Sequence, residues 1–422
     1  MIAIKKRSFW RGNLGVMMLT SGLWTFGGQM TGPFWSLYVL GLGGTYFDIG
    51  LLSAVSSIVV VLPALLGGYL ADTLGRKRMV YSLSFLLAAN SIIYFAAPSW
   101  HWLILCIVID AVAVGLRGPA FSALIADSTT VGNRAESYAL FNIVPPLFGI
   151  LSPYIIGVFM DQMGVVPAQR NAYLLLFVAS TTAAALRFKL LEETLPTVKV
   201  ERTSASKVLR ESFSNIRLTV KVFPRQLWVL TSIGMLVGFG ASVGAPFWAT
   251  YATLDVIHLS NADWGLVTTV GMLVSTLVSL PFAWLADRKG RVKLVLPALL
   301  LSPVAILAFV FSRSLLQVFV VYVLVSALDS MGSAASQALF TDYSLREHRG
   351  RNNALWSMLG TAQTFSHGAM SGSLLGTAGN LLGGYLYGNV SMIYPLLIMA
   401  GSWAASGLVG LLLLREPEER AD

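Results

Sequence analysis

Three ionisable side chains stand deep inside long apolar stretches of this sequence: Asp110, Arg117 and Asp329. A charge at the centre of a bilayer costs about 2.5 to 3.5 kcal/mol even on lenient scales, so each must face a cavity or a partner, and such groups mark substrate or proton pathways. Asp110 precedes Arg117 by seven residues, about 10 Å along a helix and too far for an easy pair. It is expected to be protonated or bonded to a neighbouring helix, with proton coupling as its candidate role. A second set lies in short hydrophilic breaks: Asp72 before Arg76, Lys77 and Arg78, and Asp287 before Arg288, Lys289, Arg291 and Lys293. Aromatic and amide side chains form a third set, with Trp24, Gln29, Phe34, Trp35 and Tyr38 in one stretch and Phe247, Trp248 and Tyr251 in another. Walls of this kind hold amphipathic or lipophilic molecules by apolar contact and cation-π attraction. Trp35 and Trp248 have two possible stations, a cavity wall or an interfacial belt.

Other chemistry finds no ligand set. Gly240-Ala241-Ser242-Val243-Gly244 matches a hydrolase nucleophile pattern but sits in an apolar helical run with no strand before it, so it reads as small-residue helix packing. No glycine loop followed by Lys-Ser or Lys-Thr is present, which argues against direct use of ATP. His101, His258, His348 and His367 are scattered, and Cys106 is the single cysteine; no metal site, cofactor or internal disulfide is expected. Asn389-Val390-Ser391 is a formal glycosylation sequon. These features describe a protein that is not an enzyme.

The elements that position the charges are membrane spans. A chain of 422 residues that is 55% hydrophobic and 12% charged cannot hide its apolar surface from water, and its solvent is lipid. Apolar runs fall at about 13–41, 49–71, 79–97, 102–126, 137–160 and 171–189, then 226–253, 264–286, 292–312, 315–341, 352–388 and 391–414, and in lipid runs of that length are helices. The net charge of +9 could suggest nucleic acid, but the basic residues form no contiguous domain. They alternate by loop. Arg76 to Arg78, Arg134, Arg288 to Lys293, and Arg346, Arg349 and Arg351 fall on one side, and only Arg170 and Arg313 on the other, which places both termini in the cytoplasm of a plasma-membrane protein. The basic N-terminus (Lys5, Lys6, Arg7) leads into nearly thirty apolar residues without a small-residue cleavage site, a retained first span rather than a signal peptide. Between about 192 and 225 lies the one long hydrophilic segment, where Leu209, Phe213, Ile216, Val220 and Phe223 alternate with Lys207, Arg210, Arg217 and Lys221. It is either a basic amphipathic helix on the inner leaflet or a solvated connection.

The halves repeat. Pro33, Phe34, Trp35 and Tyr38 recur as Pro246, Phe247, Trp248 and Tyr251. Asp48 and Gly50 recur as Asp263 and Gly265, each Asp placed to N-cap a helix. Leu70-Ala71-Asp72 through Gly75-Arg76-Lys77-Arg78 is echoed by Leu285-Ala286-Asp287 through Gly290-Arg291-Val292-Lys293, and Ala120, Leu124, Asp127 and Arg134 by Ala335, Leu339, Asp342 and Arg349. The offset is about 215 residues, half the chain. With Gly68-x-x-x-Asp72-x-x-Gly75-Arg76-Lys77 between the second and third spans, the whole chain resembles the major facilitator superfamily of secondary transporters. The second copy has Ala283 in the place of Gly68.

The resemblance implies an all-α membrane protein of twelve transmembrane helices in two pseudo-symmetric six-helix bundles, 1–191 and 226–422, joined by the 192–225 linker. It implies alternating access and a cytoplasmic gate built from Gly68, Asp72, Gly75, Arg76 and Arg134, and from Asp287, Gly290, Arg291 and Arg349; the alternative is that these charges only enforce orientation. It also implies that helices 1, 4, 7 and 10 surround the cavity. On that arrangement Arg117, ten residues above Asp127, and Asp329, thirteen above Asp342, lie about 15 and 20 Å deep and are expected to pair across it, with Asp110 and Asp329 as proton-coupling acids. Gly149 to Gly157 with Pro153 resembles the helix 5 stretch of proton-exchanging exporters, with Ser152 and Ile156 replacing two glycines, and the related stretch Gly379 to Gly384 is displaced by an insertion around Gln363 to Gly376 that contains His367. The expected function is proton-coupled export of amphipathic or drug-like molecules by a monomer. The alternatives are uptake or exchange of a small anionic metabolite with Arg117 as counter-charge, and a lipid-translocating or non-transporting receptor on the same scaffold.

Overall fold

The computed structural model describes residues 12–129, 134–195, 223–344 and 374–417 together with Asn352 and Trp356, the side chains of Arg134 and Ala135 excepted. The linker from 196 to 222, Arg349 and the insertion around His367 lie outside the described residues. Among those described there are helices and no strands. The first half comprises α1 (Asn13–Thr31, continued as Trp35–Gly41), α2 (Tyr46–Val59 and Val61–Leu74), α3 (Arg76–Ala96), α4 (His101–Asp127), α5 (Arg134–Gly149 and Ser152–Met163) and α6 (Val165–Leu190). The second comprises α7 (Arg225–Asp255), α8 (Asn261–Lys289), α9 (Val292–Phe311), α10 (Leu315–Tyr343), α11 (described over Leu374–Asn389) and α12 (Tyr394–Leu413). By length and composition ten of these stretches can cross a membrane, all but α1 and the described part of α11. Their outer faces carry exposed Leu62, Leu277, Phe311, Leu316 and Leu412, as helices immersed in lipid do.

Local chemistry sets the breaks. Proline lacks an N–H and cannot continue the helical ladder, and at Pro33 and Pro246 the first helix of each half tightens into a 3-10 turn, Gly32–Phe34 and Ala245–Phe247. α7 then ends in a π-helical turn at Tyr251–Asp255. Asp48 and Asp263 are not the N-caps of α2 and α8. Thr45 and Ser260 are, and each aspartate closes a capping box from the third helical position.

The packing also repeats. In the first half α1 packs on α5 and α6, α3 on α4 and α6, and α2 on α4; in the second α7 packs on α11 and α12, α9 on α10 and α12, and α8 on α10. The halves meet where α2 packs on α11 and α5 on α8. One buried cluster spans both halves at the end away from the Gly75 and Gly290 turns, uniting Tyr38, Ile49 and Tyr94 with Trp248, Phe309 and Tyr387. At the other end the cores separate, with Met17, Val80 and Leu124 in one half and Leu230, Val295 and Leu339 in the other. The halves are joined at one end and have independent cores at the other.

Candidate functional site

Between the halves lies a cavity of about 770 Å³. Its walls come from α1, α2, α3, α4 and α5 on one side and α7, α8, α10 and α11 on the other, with Gln29, Trp35, Tyr94 and Asn142 facing Trp248, Trp264, Tyr322 and Asp329. Asp329 is the only Asp, Glu, Lys or Arg among the lining residues described. The rest of the polar lining is mostly hydroxyl. Thr25, Ser53, Ser57, Thr276, Ser279, Ser326, Ser330 and Ser333 each donate to a helix carbonyl at 2.8–3.2 Å, which is how a helix in an apolar medium carries a hydroxyl without an unmet donor.

The repeat therefore places only part of the expected aromatic set on the wall. Gln29, Trp35, Trp248 and Asp329 line the cavity. Phe34, Tyr38, Phe247 and Tyr251 do not: all four are fully buried within the halves, with the Tyr38 hydroxyl donating to the Tyr94 carbonyl at 2.7 Å and that of Tyr251 to the Val310 carbonyl at 2.9 Å. Positions i and i+4 share a helix face, so Phe34 goes with Tyr38 and Phe247 with Tyr251, while each following Trp is turned by about 100° to the cavity.

Arg117 is not among the lining residues described. Its guanidinium lies inside the first half, 5.0 Å from the Trp24 ring and 5.9 Å from that of Phe121, with Nη1 3.4 Å from the Ser84 hydroxyl. Trp24 is thus a neighbour of Arg117 and not part of the wall. Asp110 is bonded to α3: Asn90 Nδ2 donates to Oδ1 at 2.7 Å and the Tyr94 hydroxyl to Oδ2 at 2.9 Å. Because the ring of Tyr94 lines the cavity, Asp110 stands one side chain behind the wall. Sequence reasoning missed Arg187, which is buried near the end of α6 with Nε on Thr20 Oγ1 at 2.9 Å and Nη1 on Ser84 Oγ at 2.7 Å. Its position close to a span end carries no mark of burial in the sequence. Arg187, Arg117, Asp110 and Tyr94 form a polar spine in the first half. At the 215-residue offset the second half has Leu299 for Ser84, Phe309 for Tyr94, Val325 for Asp110 and Gly332 for Arg117.

At the end where the cores separate, Arg76 pairs with Asp72 at 3.5 Å and with Asp127, and Arg291 pairs with Asp287 at 3.3 Å and with Asp342. Every one of these pairs lies within one half. Gly75 and Gly290 make the turns with φ of 96° and 108°, a region closed to most L side chains. Gly68 lies beside Pro119. Two further acids, absent from the expected set, complete the arrangement: Glu193 accepts from the backbone N–H of Arg76 and Lys77 at 3.2 and 3.1 Å, and Glu416 from that of Arg291 and Val292 at 2.6 and 2.9 Å. Each carboxylate neutralises a helix N-terminus. The Asp342 side chain is 1% exposed and that of Asp127 35%, and removing one member of a buried pair strands the other charge. Asp342→Asn is expected to cost about 3 kcal/mol and Asp127→Asn under about 1 kcal/mol. Melting temperatures in detergent should fall in that order, and equal falls would show that burial does not govern the pair.

At the joined end two carboxylates bridge the halves. Asp161 of α5 accepts from Asn261 N, Asn261 Nδ2 and Ala262 N of α8 at 3.0, 2.9 and 2.9 Å. Asp255 of α7 accepts from the hydroxyl of Tyr46 on α2 at 2.5 Å and of Tyr387 on α11 at 2.7 Å. Between them helix backbones touch at Gly50, Gly157 and Gly265, where an added Cβ would stand 2.3 Å from a carbonyl oxygen of the other half.

The profile of the Major Facilitator Superfamily matches residues 17–260 and 230–422. The chain is 24% identical to the multidrug resistance protein MdtG of Klebsiella pneumoniae (strain 342), over 98% of this chain and 96% of that protein. It is 24% identical to the quinolone resistance protein NorA of Staphylococcus aureus (strain Mu50 / ATCC 700699), over 59% of this chain and 61% of that one. In fold it is similar to the peptide transporter POT crystallised with sulfate, with a TM-score of 0.71 at 17% identity over 95% of this chain and 93% of that one.

Proposed function

Because the chain belongs to the Major Facilitator Superfamily, we propose that it is a secondary transporter that exports cationic amphipathic molecules in exchange for protons. The observation that carries this reading is the cavity: a single carboxylate, Asp329, among aromatic faces and hydroxyls, with no basic side chain among the lining residues described. A site of that composition holds a lipophilic cation by charge and by cation-π contact. The multidrug and quinolone resistance relatives support the same substrate class. The basic loops orient the Gly75 and Gly290 turns toward the cytoplasm, with both termini on that side, so the separated cores mark the cytoplasmic end and the glycine seam the outer end. The halves 1–191 and 226–422 rock about the cavity, and one chain supplies the whole site. Asp329 in the cavity and Asp110 behind Tyr94 are the two acids that take and release the proton.

Flux in proteoliposomes tests this directly. A pH gradient alone is expected to drive a fluorescent lipophilic cation across the membrane, and an uncoupler to stop it. Flux of small anions in preference to cations would overturn the reading, and absence of any flux would point to a receptor on the same scaffold.

A further inference from the structure

Between the carboxyl of Asp110 and the guest's space stands one aromatic ring. Two donors hold that carboxyl. Asn90 Nδ2 donates to Oδ1 at 2.7 Å and to the Cys106 carbonyl at 2.8 Å, so the amide is fixed to the backbone of α4, and Asn90 does not line the cavity. The Tyr94 hydroxyl donates to Oδ2 at 2.9 Å and to no other group among the described residues, and Tyr94 is part of the wall. Its ring is steadied by Tyr173, stacked at 4.6 Å, and by Trp35, edge to face at 5.9 Å. The other titratable groups around Asp110 are Arg117 and Cys106 of α4 and Tyr173 of α6, and none of them is among the lining residues. An ionised carboxylate in an apolar interior depends on each of its donors, and a protonated one does not. Tyr94 on Oδ2 and charge on Asp110 therefore go together.

We propose that Tyr94 is the positioning residue through which the cavity controls this proton: a guest packed against the cavity side of its ring keeps the hydroxyl on Oδ2 and Asp110 ionised. The inference rests on the assignment of the transported proton to Asp110 and adds what links that acid to the substrate. Substrate binding then sends the proton of Asp110 to water. A proton on Asp110 releases the ring and weakens the hold on substrate by the same factor, because coupling between two sites is reciprocal. Exchange requires this opposition. The second half has no copy of the link, since Phe309 stands at the position of Tyr94 and Val325 at that of Asp110. A phenyl ring is accepted at the repeated position, where Phe309 is buried and stacked on Trp248 at 4.3 Å, and Tyr94→Phe removes the hydroxyl alone.

The experiment uses the full chain in lipid nanodiscs, tetraphenylphosphonium as the lipophilic cation, and difference infrared spectra recorded from mildly acid to neutral pH. The carbonyl band of protonated Asp110 is identified as the band that Asp110→Asn lacks. Adding the cation to the parent is expected to remove that band, and calorimetry should show an affinity about tenfold higher where Asp110 is ionised than where it is protonated, beyond any pH dependence that Asp110→Asn retains. In Tyr94→Phe the cation should still bind, but the Asp110 band should persist in its presence, and the part of the pH dependence that Asp110→Asn removes should be lost as well. A hydroxyl with only a structural role would displace the titration of the band and leave its response to the cation intact, and that result overturns the inference. Absence of any such band in the parent overturns the assignment of the proton to Asp110 on which the inference rests, and failure of the parent to bind the cation overturns the reading of the cavity.

Discussion

Asp329→Asn is expected to yield a folded, membrane-inserted protein whose transport of lipophilic cations falls by about a hundredfold. Asparagine keeps the shape of the side chain and removes its charge, and no other Asp or Glu lines the cavity among the described residues. Opposing that loss is little: aromatic faces contribute about 0.5–2 kcal/mol each to holding a cation, whereas truncating one member of a desolvated charge pair costs about 2–5 kcal/mol, or one and a half to three and a half powers of ten. Asp110→Asn should behave differently. Its carboxyl contacts Asn90 and Tyr94 and not the guest's space, so substrate binding should survive while dependence of flux on the pH gradient is lost. The pair of variants separates the two acids when calorimetric binding and gradient-driven flux are measured on each. Normal cation binding by Asp329→Asn would remove Asp329 from the substrate site.

How far the sequence could foretell this arrangement depended on what one dimension encodes. Depth in the membrane is a residue count from a known end, and periodic landmarks survive duplication, so the twelve-span plan and the recurrence of Pro33 as Pro246 were readable, though not that each marks a break in its helix. Azimuth around a helix is set by packing partners and was not. Arg117 and Asp329 are at similar depth, which made them look like a pair. Seven residues put Arg117 on the same face of α4 as Asp110, and Asn90 and Tyr94 of α3 fix that face inside the first half. Ile107 lines the cavity instead. The same limit hid Asp161 and Asp255: each meets a partner from the other half, at Asn261 and Tyr46, and a span-end acid carries no local mark of that. Arg187 was legible as a charge but not as a buried one, since only three-dimensional packing brings Thr20 and Ser84, far apart in the chain, to its guanidinium.

The seam between α5 and α8 gives the second large effect. A Cβ on Gly265 would lie 2.3 Å from the Pro153 carbonyl oxygen and 2.9 Å from its carbonyl carbon, where carbon and its neighbours settle at about 3.5–4.0 Å. Both partners are helix backbone, which cannot swing aside as a flexible side chain would. Gly157 faces the Asn261 carbonyl in the same way. Gly265→Leu must therefore part the two helices, and it can do so without unfolding either half, because the packing of α8 on α10 and the separate cores at the opposite end are internal to each half. The structure yields along the one interface that the transport cycle itself has to open, since packed interfaces switch between discrete arrangements instead of deforming continuously. Spin labels at Gln162 and Leu254, on opposite halves near this end, should move apart in Gly265→Leu relative to the parent. Turnover should fall at least about tenfold, because a seam that cannot close holds the cycle in its outward-open arm. Asp161→Asn, which weakens three hydrogen bonds across the same seam without adding bulk, should shift the distance in the same direction by less. An unchanged distance with normal turnover in Gly265→Leu would mean that the seam is not the moving joint.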